Sequence, residues 1–136
     1  MINTEYLERC LETLEKSYSL IQTVDENTID YEMYRNSLVK SFEMTLEQSG
    51  KLLKKKLSPF FSSKHAIDSL TFKDLFRHAF KYGLISSEEV DRWMMYRDNR
   101  NNTAHDYGKI FAEKTLSLMK DFLCDVKQLR DIVANE

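Results

Sequence analysis

Apolar residues recur along this chain at alternating steps of three and four, in runs too long for strands. Such spacing places side chains on one face of an α-helix. Leu7, Leu11, Leu14, Tyr18 and Ile21 form one such stripe, which predicts a helix over about residues 3–22, with Cys10 widening the stripe. Tyr34, Leu38, Phe42, Leu46, Ser49 and Leu53 form a second over about 29–57. Phe111, Leu118, Phe122, Val126, Leu129 and Val133 form a third over about 109–134. Leu116, Met119, Leu123 and Ile132 broaden that last stripe, so its helix has more than one neighbour, in a bundle or at a subunit interface. With three glycines and one proline in 136 residues, the chain lacks the turn chemistry of an all-β fold.

Local signals divide the remainder. Thr28 or Asp30 suits the cap of the second helix, and Gly50 weakens that helix by about 1 kcal/mol relative to alanine. Ser58-Pro59 ends it, because proline lacks a backbone donor and disfavours helical geometry at the residue before. Residues 58–70 read as a connection, with Phe60 and Phe61 tucked under it as core or interface anchors. Thr71 caps a short helix that buries Leu75, Phe76, Ala79 and Phe80 and ends at Gly83. Ser86 with Glu89 is a capping-box pair, opening a helix that carries Val90, Trp93, Met94 and Arg97. The fold class is therefore all-α: an up-and-down four-helix bundle with an additional short helix, in one domain over residues 1–136.

Composition narrows the function classes. Apolar content of 42% and charged content of 31% suit a globular protein. The formal net charge of −2 gives no global attraction to nucleic acid, so any such binding needs a local basic patch. Lys51, Lys54, Lys55 and Lys56 are one candidate, although they also complement the negative end of the second helix. Cys10 and Cys124 fit no metal spacing and read as buried, reduced thiols of a cytoplasmic protein. Glu5, Glu8 and Arg9 interrupt any leader at the start, and no apolar run reaches the roughly 18 residues of a membrane span. His65 and His78 have no evident chemical partner and read as structural or solvated.

The stretch from Arg97 to Tyr107 stands apart. It holds Arg97, Arg100, three asparagines, His105 and Tyr107, with Arg92 just upstream. On a continuous helix Arg100 and His105 would point about 140° apart, so they converge only if the chain breaks between them. Asn101-Asn102-Thr103 reads as that break, with Asn102 or Thr103 capping the next helix. Arginine, histidine, amides and a helix start together suit a phosphodiester. Histidine can take or give a proton at neutral pH, and arginine can hold the phosphate through its planar fork. No metal cluster is evident, because the adjacent His105 and Asp106 cannot readily ligate one ion together. The same residues could instead satisfy one another and the backbone at a helix junction.

Arg100-Asn101, then Ala104-His105 and Tyr107, resembles the signature of HEPN domains, an arginine followed a few residues later by histidine. The four-residue interval and the tyrosine two after the histidine are similar to the HEPN toxins paired with minimal nucleotidyltransferase antitoxins. The upstream run Trp93-Met94-Met95-Tyr96-Arg97-Asp98 resembles the branch known as nucleotidyltransferase substrate-binding proteins. The resemblance implies a homodimeric helical bundle whose composite cleft holds Arg100 and His105 from both subunits as catalytic residues. Asn101 would orient the phosphate or the histidine. Tyr107 would accept AMP from a separate nucleotidyltransferase, the antitoxin. The implied activity is RNA cleavage without a metal or other cofactor. Two further readings stay open: a non-catalytic subunit presenting a substrate to a nucleotidyltransferase, and a helical interaction module.

Overall fold

The computed structural model describes residues 1–103 and 109–135, and of residues 101–103 and 109 the backbone alone. The described residues form α1 (Glu5–Ile21), α2 (Ile29–Leu57), a 3-10 turn (Ser58–Phe60), α3 (Lys64–Asp68), α4 (Phe72–Lys81), α5 (Ser87–Thr103) and α6 (Lys109–Ala134). Four longer helices make the bundle. α2 and α6 run the same way, since Phe42 packs on Phe122 and Lys56 donates to the Asn135 carbonyl at the far end. α1 and α5 run against them: Ser17 meets Ser37, and Asn99 meets Thr115 while Arg92 meets Asp125. This is the up-and-down arrangement expected from the stripes.

Why the helices start where they do is visible at their caps. Thr28 Oγ1 accepts from the Tyr31 amide at 3.2 Å. Thr71 and Asp74 make a reciprocal capping box, and so do Ser86 and Glu89. Gly83 closes α4 at φ 76°, and the Leu84 amide reaches back to the Ala79 carbonyl.

The core is one cluster. Phe42, Phe76, Trp93, Tyr96 and Phe122 interlock at its centre, with Phe76 stacked on Trp93 at 4.5 Å. Burial of that aromatic area is the main stabilising term. α6 packs on α1, α2 and α5, so its broad stripe is that of a central helix.

Five expectations need correction. Residues 58–70 are more than a connection: they hold the 3-10 turn and α3, which Ser63 caps through the Ala66 amide and Ile67 anchors in the core. Ser58 keeps helical dihedrals before Pro59; the missing proline N–H tightens the end of α2 into the 3-10 turn instead of forcing it extended. Phe80 is 50% exposed, because it stands about 100° around α4 from Ala79, at the edge of the buried stripe. Phe60 is likewise exposed, stacked on Tyr82 rather than tucked beneath the chain. Cys124 is exposed on the outer side of α6, whereas Cys10 is buried.

Candidate functional site

α5 carries the arginine of the motif, and several of its polar side chains make the contacts that hold it to α4 and α6. Arg92 donates through Nε and Nη2 to the two Asp125 oxygens at 2.7 and 2.8 Å. The Tyr96 hydroxyl donates to the same carboxylate. Burial, then the bond to Asp125, pushes the Tyr96 phenol well above its ordinary range. The bond to Asp125 also raises the Arg92 guanidinium above its ordinary range. Arg97 lies over the Phe72 ring, 4.9 Å from its centroid. Asp98 receives Lys73 at 2.6 Å, and buried Asn99 donates to Thr115 Oγ1 at 3.1 Å.

These contacts sort the three arginines. Arg92 ties α5 to α6, and Arg97 ties α5 to α4. Arg100 is half-buried one turn beyond Arg97, near the end of α5 that meets the beginning of α6. That end of the bundle also has a cavity of about 230 Å³, lined by Arg35, Asn36, Val39 and Lys40 of α2 and by Phe111 and Ala112 of α6.

The expected break at Asn101-Asn102-Thr103 is not there. α5 continues through Thr103, so Asn102 and Thr103 are helical within it, and what joins it to α6 lies outside the described residues. The anchors at Tyr96, Arg97, Asp98 and Asn99 hold the helix past the point where asparagine propensity suggests an end. Asn101 is helical in its backbone. His105 and Tyr107 lie outside the described residues, as does any junction between Arg100 and His105.

Sequence reasoning did not single out Asp125, and took Asn99 only as one of the asparagines of the polar stretch. Both left a signal. Asp125 falls three residues after Phe122 and four before Leu129, on the apolar face of α6. A carboxylate there requires a buried cation or donors. Asn99, 2% exposed, falls three after Tyr96 on the seam with α6. Gly50 was read as a weak point of α2; it makes room for Phe72, whose ring carbons would lie 2.9 Å from a Cβ at that position.

Known proteins resemble both the sequence and this arrangement. Residues 3–134 match the family described as "Nucleotidyltransferase substrate binding protein like". The chain belongs to that family. A curated relative, "Probable ribonuclease HepT" of Haemophilus influenzae, is 33% identical over 127 residues, which cover 83% of this chain and 86% of the relative. Among solved structures, HI0074 of Haemophilus influenzae, described as having the fold of a nucleotidyltransferase's substrate binding domain, superposes with a TM-score of 0.82. It is 25% identical, over 98% of this chain and all of HI0074. A tri-AMPylated HEPN toxin of Shewanella oneidensis, solved with its MNT antitoxin, shares the fold at a TM-score of 0.66 and 16% identity, over 99% of this chain and 100% of the toxin.

Proposed function

We propose that this family member is a HEPN-type endoribonuclease toxin whose cleft is built from Arg100 and His105 of two subunits. The observation that carries the reading is the place of the motif arginine: Arg100 is half-buried near the end of α5 that meets the beginning of α6. The name of the curated relative supports the same reading.

In the proposed reaction His105 takes the proton of a ribose 2′-hydroxyl, and the 2′-oxygen bonds to the adjacent phosphorus. The bond to the 5′-oxygen breaks, and that oxygen leaves with a proton, giving a 2′,3′-cyclic phosphate and a 5′-hydroxyl. Arg100 holds the phosphate charge, and Asn101 orients the phosphate or the histidine. A second His105 from the partner subunit supplies the other proton transfer, each such transfer contributing roughly 10²- to 10⁴-fold. Exposed Ile29 and Met33 on α2 and Ile110 on α6 support pairing through the side that carries the 230 Å³ cavity.

Silencing is proposed to occur at Tyr107 through a separate minimal nucleotidyltransferase. The phenolic oxygen bonds to the α-phosphorus of ATP, pyrophosphate leaves, and a base takes the phenol proton. The added anion beside Arg100 and His105 then excludes RNA. The AMP-bearing toxin solved with its antitoxin supports this part of the reading.

The test is cleavage of a mixed RNA pool by purified protein with EDTA present, beside His105→Ala and Arg100→Ala. Cleavage by wild type alone is expected. Incubation with the partner and ATP should add AMP mass to wild type, abolish cleavage, and leave Tyr107→Phe unmodified. A second reading, a non-catalytic subunit that presents a substrate to a nucleotidyltransferase, is favoured by the family's description and by HI0074. Absence of cleavage by protein whose mass excludes added AMP would select it.

A further inference from the structure

Charge is unevenly distributed along this chain. Between residues 51 and 82 there are eight lysines and arginines against two acidic residues, Asp68 and Asp74, in a protein of net charge −2. Both acids are engaged. Lys54 holds Asp68 at 2.6 Å and keeps its carboxyl below the ordinary range. Asp74 is held low by the Thr71 backbone and hydroxyl and by Arg77. Three of the eight, Lys54, Lys55 and Lys64, wall a groove of about 540 Å³ between the end of α2 and α3, over Phe61 and Ile67 and with Asp68 in its lining. Lys55 makes no ion pair among the described residues.

Helix dipoles do not account for this set. Lysines in the last turn of α2 suit its negative end, but Lys64 opens α3, where a cation is disfavoured. An aromatic platform adjoins the lysines. Phe60, which shares a second cavity with Lys55, is stacked on Tyr82 at 4.2 Å and 14° yet stays 51% exposed. Positive walls with an open aromatic face are the pairing that single-stranded nucleic acid requires. A base that stacks on Phe60 must be unpaired, which a strand inside a duplex does not offer.

The groove is also linked to the motif. Lys54 is one turn of α2 beyond Gly50, about 6 Å along the axis. Gly50 abuts Phe72, Phe72 carries Arg97, and Arg100 is one turn of α5 further. We propose that the α2–α3 groove is an anchoring site for single-stranded RNA, distinct from the Arg100/His105 centre. Its lysines hold phosphates and Phe60 stacks a base of the strand being cut. This inference rests on RNA being the substrate.

The test is binding of a fluorescein-labelled single-stranded RNA to His105→Ala protein, which leaves the probe intact, followed by anisotropy across salt concentrations. Against that parent, Lys55→Glu/Lys64→Glu should bind about tenfold more weakly, and the slope of log affinity on log salt should fall by about 1.4 for two lost phosphate contacts. Lys16→Glu/Lys120→Glu makes the same charge change on exposed positions of α1 and α6 and should stay within about twofold. Phe60→Ala should weaken binding severalfold without changing the slope. Circular dichroism melts establish that each variant is folded. Equal losses in the groove and control variants, no loss in either, or no binding by the parent would each overturn the proposal. So would loss of binding to phosphatidylserine vesicles with RNA binding intact. RNA binding that depends on the groove in a protein that never cleaves would sink the nuclease reading and leave the groove standing.

Discussion

Arg92 and Arg100 are eight residues apart on one helix, and they should answer to different assays. Asp125 is 2% exposed, and Arg92 supplies both of its charged hydrogen bonds. Arg92→Ala leaves that carboxylate with only the Tyr96 hydroxyl, which should cost about 3 kcal/mol of stability in urea titration. Arg100→Ala should cost about 1 kcal/mol or less and abolish RNA cleavage. Tyr96 adds a pH prediction. Its folded-state pKa lies above the unfolded value of about 10, so the unfolded chain ionises first. Its contribution is complete below pH of about 10 and is lost as pH rises from there toward the folded value. Stability measured across that range should fall, and Tyr96→Phe should flatten the fall. The motif stood out at this scale as a candidate because arginine, histidine and tyrosine bear reactive groups; His105 and Tyr107 lie outside the described residues. Asp125 did not stand out, because its role depends on Arg92, 33 positions away.

At the scale of elements, the bounds of α2 were readable from its period and its Thr28 cap, and the course of α6 from period alone, since both helices are long. The end of α5 was not. Asparagine propensity argues for a stop, and tertiary bonds from Asp98 and Asn99 override it. Gly50 shows the converse: a residue that weakens its helix locally is the one that lets α4 approach. Alanine there should gain about 1 kcal/mol of helix propensity but force the Phe72 ring aside, an overpacking cost of about 1–3 kcal/mol. Gly50→Ala should therefore lower the melting temperature on balance. Because Phe72 carries Arg97, the change should also perturb the α4–α5 seam, read out by fluorescence of the buried Trp93. A simple propensity account predicts a rise in melting temperature instead.

The whole molecule poses a stoichiometric question. Among the described residues one chain presents Arg100 at one end of α5, and a metal-free cleavage needs two proton transfers. A second copy supplies the missing histidine only if both active-site sets share one cleft. Mixing then separates a composite cleft from two independent ones. Arg100→Ala and His105→Ala proteins, each inactive alone, are unfolded together and refolded so that heterodimers form. In a shared cleft the heterodimer retains one arginine and one histidine, drawn from different chains, so it keeps one of the two proton transfers and cleavage should return at roughly 10²- to 10⁴-fold below wild type. In independent clefts every site in every dimer lacks one of the two, and no mixture should cut. The Arg92→Ala protein serves as the stability control, since its defect lies in the α5–α6 tie and no partner chain can complement it.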